Sequence, residues 1–465
     1  MSTKLAMRLE KDSMGEMEVP ADALYGATTA RAVKNFPISG RGMSRRFIQA
    51  VGVMKGSAAL ANESLGLLSE EKTKAITAAA QEVADGKWDA EFVVDVFQTG
   101  SGTSTNMNAN EVLANRASQI LGSELGSRAI HPNDDVNRGQ SSNDTMPTAM
   151  QVSALLGISN ELIPALTDLE KALSSKSSEF SGVVKTGRTH LQDATPITLG
   201  QVFLGFAGQT RRGIKRLQFA ASELSQLPLG GTAVGTGVNT HKEFPARTIA
   251  FMSESLGLEL VETDNHFCAQ NNIDAMISAS GCLRTIAASL YKIANDIRFM
   301  GSGPRAGLGE IQLPAVQPGS SIMPGKVNPV MAEALLMVVA HVLGNDTAIL
   351  HGLYGSNFEL NTMFPVSSRN LNESIDLLSN AVRAFTKDCL KGVQATTAGP
   401  DGVERGLMLG TALAPVLGYD VAAKIAKTAA KEGKTIREVA LRDSELTAEE
   451  LNGLLEPLSM TRPQG

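Results

Sequence analysis

A short segment in the second half of the chain, residues 319–330 (GSSIMPGKVNPV), concentrates residue types that can do chemistry. It places two adjacent serines, Ser320 and Ser321, close to one lysine and one asparagine, Lys326 and Asn328. Hydroxyl and amide donors around a single ammonium group suit a bound anion. The segment therefore predicts an anion site, although its composition alone does not name a reaction.

Three other segments are similarly dense in Ser, Thr, Asn, Asp and His, and each leads into an apolar helical stretch. They are residues 100–111 (GSGTSTNMNANE), 131–144 (HPNDDVNRGQSSND) and 187–201 (GRTHLQDATPITLGQ). One such cluster is usually a helix cap or a turn. Because backbone N–H groups at helix starts bind carboxylates, four such segments in one chain predict a cradle for a small acid.

The sequence lacks the motifs of several common reaction classes. It has no GxxxxGKS/T phosphate loop, no HExxH zinc motif, no GxSxG nucleophile elbow and no dinucleotide fingerprint. The three cysteines, Cys268, Cys282 and Cys389, are far apart and show no metal-ligand spacing. We therefore expect acid–base chemistry on a small anion, without a metal or another cofactor.

The charge balance and the N-terminal sequence limit the expected partners and location. The chain has 42 Lys+Arg against 48 Asp+Glu and no basic stripe, so nucleic acid is not expected as a partner. Residues 1–20 contain acidic residues and no apolar signal-peptide core, and the densest apolar stretch, residues 334–344, is short for a bilayer. We expect a cytoplasmic protein with free thiols that does not bind membranes.

Apolar residues at helical spacing predict the long helices that must position these segments. Aromatic residues make up only 4% of the chain, and an aliphatic core favours helix packing. One apolar stripe continues past Pro164, which should kink its helix; a second forms a heptad seam. A third helix is expected over about 329–349, with Glu333 in its first turn. The two stripes are Leu155, Ile158, Leu162, Leu166, Leu169 and Leu173, and Leu283, Ile286, Leu290, Ile293, Ile297 and Met300.

These helices predict a bundle, in which sites form between facing helices. Residues 396–402 (TTAGPDG) are the strongest turn cluster and should open a small C-terminal domain. We expect an N-terminal domain over residues 1–140, a central helical bundle domain over 141–395 and a small C-terminal helical domain over 396–465. Since a heptad seam also suits contacts between subunits, a homo-oligomer is expected.

The segment at 319–330 resembles the signature of the fumarase/aspartase superfamily, G-S-x-x-M-x-x-K-x-N. The other three polar segments resemble the remaining blocks of that superfamily in the same order, and the likeness extends from residues 15–36 to residues 418–440. The resemblance implies a mainly α, three-domain fold whose central bundle of long helices builds the core of a homotetramer. It also implies that active sites are shared between subunits.

Within this superfamily the sequence is most similar to the class II fumarate hydratases. His190 stands where aspartases typically carry Gln, and Gly325 where they usually carry Ala. Residues 131–135 and 230–241 are also similar to the hydratases. The resemblance implies a lyase of the tricarboxylic acid cycle that reversibly hydrates fumarate to (S)-malate, by anti elimination through an aci-carboxylate intermediate. The alternatives are an aspartate ammonia-lyase and a non-catalytic helical scaffold of the same fold. The sequence departs from many class II hydratases at Ser104, Thr105, Ala109 and Gly139.

The resemblance also assigns roles to individual residues, none of them to the departing positions. Ser320 is expected to take the C3 proton, and His190, paired with Glu333, to protonate or position the departing hydroxyl group through a water. A turn serine and a lone histidine are commonly structural, so these roles depend on the resemblance. The expected dicarboxylate-binding residues are Ser101, Gly102, Thr103, Ser141, Ser142, Asn143, Thr189, Ser321, Lys326 and Asn328. A second, non-catalytic anion site is expected at Arg128, His131, Pro132, Asn133 and Asp134.

Overall fold

Helices make up most of the structure, a computed structural model that describes residues 6–463. In chain order the helices are α1 (Ala27–Asn35), α2 (Arg45–Ser64), α3 (Glu70–Ala84), α4 (Thr103–Ile120), α5 (Ser142–Gly157), α6 (Ile163–Glu179), α7 (Leu199–Leu224), α8 (Phe244–Leu256), α9 (His266–Asn271), α10 (Asp274–Met300), α11 (Val330–His351), α12 (Phe364–Asp388), α13 (Ala398–Arg405), α14 (Ala414–Leu417), α15 (Tyr419–Glu432), α16 (Ile436–Asp443) and α17 (Ala448–Leu454). The mainly helical class predicted from the sequence is confirmed.

The strands are short and pair only in twos among the described residues. They are β1 (Met7–Asp12), β2 (Gly15–Pro20), β3 (Val184–Thr189), β4 (Gln192–Thr198), β5 (Gln226–Leu227), β6 (Val261–Glu262), β7 (Ile311–Gln312), β8 (Ser356–Asn357), β9 (Leu360–Asn361) and β10 (Gln394–Ala395). The pairs are β1–β2, β3–β4, β5–β6, β7–β10 and β8–β9, of which only β5–β6 is parallel.

The chain folds as two units. Among the described residues, the first comprises 6–163, 215–285 and 341–377, and the second comprises 164–214, 286–340 and 378–463. Helices α7, α10, α11 and α12 each supply residues to both units. The division into three domains stays a prediction.

The first unit packs α2, α3 and α4 around an alanine-rich aliphatic core. Small residues let these helices approach closely: a Cβ atom on Gly52 of α2 would lie 2.9 Å from the Ala84 nitrogen. A buried carboxylate, Glu111 of α4, fixes the start of α1 by accepting the N–H groups of Gly26 (2.9 Å) and Thr29 (3.1 Å). It thereby satisfies donors that the first turn of a helix leaves without partners.

Both predicted apolar stripes are helical and buried. All twelve of their residues are at most 6% exposed. The first stripe continues through Pro164 as predicted, and a single wider π-helical turn, Ile158–Leu162, directly precedes the proline-containing helix α6. This turn is the local adjustment to a residue that cannot donate a backbone hydrogen bond. The third predicted helix is α11, Val330–His351, within two residues of its predicted ends.

Within residues 6–463, two helical stretches are long and apolar enough to cross a membrane by length and composition, Ser142–Glu179 and Val330–Gly355. The apolar window of the first is 72% buried inside the protein, but that of the second is only 33% buried. A single chain therefore leaves large apolar side chains of long helices uncovered. Those on α7, α10 and α11 are Leu204, Phe219, Tyr291, Phe299, Met337, Leu343 and Leu350.

The C-terminal residues of the second unit contain helices α13 to α17 around a small aliphatic core. The fully buried members of this core include Leu413, Ala429, Ile436, Val439 and Leu455. The turn predicted at residues 396–402 is wrong in part, because α13 begins inside it at Ala398. Pro400 lies in the first turn of that helix, where a missing N–H group costs no hydrogen bond.

Candidate active site

The two ends of the loop at residues 319–328 contact each other. The Asn328 side-chain amide donates to the Gly319 carbonyl oxygen over 2.7 Å. Gly319 also lies so close to the Lys326 carbonyl oxygen that a Cβ atom would be only 2.0 Å away. Only glycine fits at this crossing, so Gly319 and Asn328 together set the shape of the loop.

Ser320 has its hydroxyl oxygen directed at backbone donors of the same loop. Ser320 Oγ accepts the N–H groups of Ile322 (3.2 Å) and Met323 (3.0 Å). The loop surrounds a hollow of about 470 Å³ whose wall includes both Ser320 and Lys326. Ser320 is half-buried, whereas Lys326 is exposed. Two backbone N–H donors directed at Ser320 Oγ, with an ammonium group lining the same hollow, are surroundings of the kind that a serine needs in order to act as a base.

His190 lies at the tip of the β3–β4 hairpin. The strands pair as far as Thr189 and Gln192, which leaves a two-residue turn of His190 and Leu191. Both turn residues have positive φ, 56° and 60°. Hairpin turns of this kind favour Asn and Gly, so two bulkier residues there hold the backbone under strain. The turn leaves the His190 side chain exposed.

A buried ion cluster supports the strand that leads to His190. Glu310, only 4% exposed, accepts a hydrogen bond from Arg188 Nη1 at 2.7 Å and lies 3.2 Å from Lys185 Nζ. Burial lowers the pKa of Lys185, and Glu310 opposes that shift. Within the described part of one chain, His190 and Glu333 form no hydrogen bond with each other, and their pairing stays a prediction.

In the first unit, four predicted binding residues form one chain of hydrogen bonds. Ser101 Oγ and Ser142 Oγ each lie 2.8 Å from Thr103 Oγ1. The Asn143 side chain extends this chain, with its Oδ1 3.4 Å from Ser142 Oγ and its Nδ2 2.8 Å from the Ala233 carbonyl oxygen. Thr103 and Ser142 are the first residues of α4 and α5. Neutral donors beside two helix N-termini suit a bound carboxylate.

Gly102 and Ser141, also predicted to bind substrate, build the starts of these two helices. Gly102 has a φ of 75°, and a Cβ atom there would lie 2.9 Å from the Met146 side chain. Ser141 forms a capping box with Asp144, and its hydroxyl oxygen accepts the Asn143 N–H group at 3.2 Å. Both residues therefore shape the backbone, and their contact with substrate stays a prediction.

Two buried ionisable residues at these helix starts, Asp144 and Lys55, were not among the site residues predicted from the sequence. Burial raises the pKa of Asp144, opposed by its hydrogen bonds and by Lys55. Burial lowers the pKa of Lys55, which is completely buried, to about 7. The available sequence signal was a lysine inside the apolar stretch VGVMKGSAAL. The Asp144 carboxylate accepts, at 2.9–3.0 Å, the backbone N–H groups of Ser141, Gly230 and Thr232.

The predicted second anion site is centred on His131, which caps the turn that follows it. His131 Nδ1 accepts the N–H groups of Asn133 (3.3 Å) and Asp134 (3.1 Å). The Arg128 guanidinium donates to the Lys11 carbonyl oxygen. These residues are close in sequence, and anion binding by them stays a prediction.

The chain is similar to known proteins in sequence over nearly its whole length. The lyase family profile matches residues 15–344, and the profile of the fumarase C C-terminus matches residues 409–462. A class II fumarate hydratase of Halobacterium salinarum is 54% identical over 455 residues, which cover 98% of this chain and 97% of that protein. One of Nitrosomonas europaea is 51% identical, with 98% and 99% covered.

The same likeness holds in three dimensions. The crystal structure of a class II fumarase from Schistosoma mansoni superposes with a TM-score of 0.96 at 37% identity, covering 99% of this chain and 100% of that one. The helical fold is thus that of the fumarase/aspartase lyases, as the sequence predicted. Within that class, the chain belongs to the class II fumarate hydratase family.

Replacing Gly319 by alanine should force the 319–328 loop open, because the added methyl group collides with the Lys326 carbonyl. We expect kcat/KM to fall about 100-fold, since misplaced catalytic groups lose their alignment with substrate. Little change in melting temperature is expected, because most of the loop is exposed. Steady-state kinetics and thermal melting of the variant measure the two effects.

Gly325→Ala is the matched control for this change. Gly325 has a positive φ of 82°, but the space around its missing Cβ is open, so alanine meets only backbone strain. We expect that variant to lose less than about tenfold in kcat/KM. Equal losses in the two variants would show that the Gly319 crossing does not determine the active geometry.

The burial of Lys55 should make the free energy of unfolding depend on pH. In the folded protein its pKa is about 7, whereas an unfolded lysine keeps its proton up to about pH 10.4. Between these values the unfolded state binds more protons, so the contribution of Lys55 to the free energy of unfolding rises with pH. The unfolding free energy of the unmodified protein minus that of Lys55→Met should increase by roughly 1 kcal/mol per pH unit from pH 7.5 to 9.5. Denaturant titrations at several pH values measure it, and a flat or falling difference would contradict the burial of an ionisable Lys55.

Proposed function

We propose that this protein catalyses the reversible hydration of fumarate to (S)-malate, with Ser320 as the base and without a cofactor. The observation that carries the proposal is the placement of Ser320 Oγ on two backbone N–H groups in a loop that also holds Lys326. Membership of the class II fumarate hydratase family supports the reaction and a C4 dicarboxylate substrate. A hydroxyl oxygen held in this way can carry the negative charge of a base.

In the direction of elimination, Ser320 acts as an alkoxide, removes a proton from C3 of malate and becomes a neutral hydroxyl group. The C–H electron pair moves into the adjacent carboxylate, which becomes an aci-carboxylate with a second negative charge. Lys326 supplies a cation to this group, and Asn328 supplies the amide N–H that does not close the loop. Because the extra charge appears only after proton removal, fixed donors stabilise the intermediate more than the bound substrate.

Loss of the C2 hydroxyl group completes the elimination. The electron pair returns from the aci-carboxylate to form the C2–C3 double bond, and the C2–O bond breaks. His190, with Glu333 as its partner, delivers a proton through a water, so that the hydroxyl group leaves as water and fumarate remains. Anti geometry requires Ser320 and His190 to act on opposite faces of the substrate. The same steps in reverse hydrate fumarate.

The other carboxylate would be bound by neutral donors of the first unit. Ser101, Thr103, Ser142 and Asn143 already form a connected set of hydroxyl and amide groups. Thr189 and Ser321, both exposed, complete the proposed binding residues with their hydroxyl groups. Neutral donors orient this carboxylate, whose charge stays the same throughout the reaction.

We further propose that four copies of the chain assemble and share their active sites. The uncovered apolar side chains on α7, α10 and α11 support this assembly, because burying them requires a neighbouring surface. The proposed pairing of His190 with Glu333 would then join different subunits. Three free cysteines agree with a cytoplasmic location.

The substrate assignment is tested directly with the two competing acids. Purified protein is given (S)-malate or L-aspartate, and the fumarate formed is followed by its ultraviolet absorbance. We expect fumarate from malate and none from aspartate, because His190 and Gly325 depart from the aspartase sequence pattern. Ammonia and fumarate released from aspartate, with no activity on malate, would identify an aspartate ammonia-lyase instead.

Ser320→Ala should separate catalysis from binding. Removing the base should lower kcat at least about 1000-fold while KM changes less than about threefold. Its neighbour provides the matched comparison: Ser321→Ala should raise KM and leave most of kcat, because Ser321 is proposed to bind a carboxylate. Steady-state kinetics of both variants decide the roles. Equal damage to kcat and KM in Ser320→Ala would make Ser320 a binding residue.

A further inference from the structure

Lys55 of α2 is a buried ionisable residue that the proposed reaction does not use. It is completely buried, and its ammonium group donates to Asn137 Oδ1 at 2.8 Å and to Gln140 Oε1 at 3.0 Å. Placing an ammonium group in a protein interior is costly, and a core helix tolerates Leu or Met at lower cost. The contacts of Lys55 therefore call for a function beyond core packing.

The two amide acceptors connect Lys55 to the start of α5. Asn137 Nδ2 donates to the Gln140 carbonyl oxygen at 3.1 Å, so both residues that Lys55 holds are also bonded to each other. Gln140 is followed directly by the Ser141 cap and by Ser142, the first residue of α5. Movement of the Gln140 carbonyl would consequently move the first turn of α5.

The hydrogen-bonded group of Lys55, Asn137 and Gln140, called the Lys55 hub below, also contacts the start of α4. Asn137 Oδ1, the acceptor for Lys55, also accepts from Asn106 Nδ2 at 3.1 Å. Asn106 lies one turn after Thr103, and its own N–H group donates to the Gly102 carbonyl oxygen at 3.0 Å. One lysine side chain therefore connects the two helix starts whose hydroxyl groups, those of Thr103 and Ser142, lie 2.8 Å apart.

We propose that Lys55 is a positioning residue for dicarboxylate binding: through Asn137 it fixes the spacing of the α4 and α5 N-termini, which carry the neutral donors for one substrate carboxylate. This inference rests on the proposed function and extends it to a residue outside the binding surface. Lys55 touches no substrate, so its loss should weaken binding and leave the chemistry at Ser320 in place.

The test compares two buried lysines in the full-length protein. Lys55→Met should raise KM for malate about tenfold or more, with kcat within about threefold of the unmodified enzyme. Lys176→Met is the control, since Lys176 is also buried and donates to a carbonyl oxygen, that of Val393 at 2.7 Å, but has no link to the helix starts. That variant should lose stability without a comparable change in KM.

A second variant tests the same connection between α4 and α5 if Lys55→Met fails to fold. Asn106→Ala removes the α4 branch of the Lys55 hub and should also raise KM more than it lowers kcat. In the double variant the two increases in KM should not multiply, because both changes break the same connection. An unchanged KM in Lys55→Met or Asn106→Ala, or a loss confined to kcat, would overturn the inference. Failure of the unmodified enzyme to convert malate would instead refute the proposed function, and the two failures are distinguishable.

Discussion

Two ionisable groups, the Lys55 amino group and the Asp144 carboxyl group, are buried at the first turns of α4 and α5, and burial shifts the pKa of each toward its neutral form. Transferring the charged form of such a group from water to the protein interior costs several kcal/mol. Hydrogen bonds inside the protein must offset this cost. Here the carboxyl group accepts three backbone N–H groups and the amino group holds two side-chain amides. Neither group can keep these partners if the backbone between Asn137 and Ser142 moves. The positions of the Thr103 and Ser142 hydroxyl groups are fixed as a consequence.

Charge is distributed unequally between the two proposed ends of the substrate. The first unit offers neutral hydroxyl and amide groups from Ser101, Thr103, Ser142 and Asn143. The loop of the second unit offers an exposed ammonium group, Lys326, and backbone N–H groups around Ser320. A carboxylate that gains a second negative charge needs the cation, whereas one that keeps its charge throughout the reaction needs only orientation. An exposed loop can keep its cation and N–H groups in fixed positions only if its backbone is rigid. The close approach of Gly319 to the Lys326 carbonyl and the Asn328 hydrogen bond fix the backbone of this loop.

The sequence predicted those parts of the molecule that follow from local periodicity. The leucine stripe through Pro164, the seam of α10 and the bounds of α11 were readable because buried helical faces repeat every three or four residues. The pairing of Thr103 with Ser142 was not readable, since the two residues are 39 positions apart and meet only through packing. Lys55 was overlooked because a single lysine ordinarily lies on a solvated surface. The His190–Leu191 turn lacks the Asn or Gly that normally marks such a hairpin, so its positive φ angles had no sequence signal.

We propose that neutral donors from one part of the chain and the Ser320 loop from another subunit bind the two carboxylates of a single C4 dicarboxylate in the assembled protein. A crystal structure of the assembly with fumarate bound tests it most directly. One carboxylate should lie within about 3 Å of the Ser142 and Asn143 side chains, and the other at a similar distance from Lys326 and Asn328. Ser320 Oγ should then face C3, with His190 of a neighbouring subunit on the opposite side. Fumarate bound away from Ser320, or contacted by only one of the two sets of donors, would contradict the account.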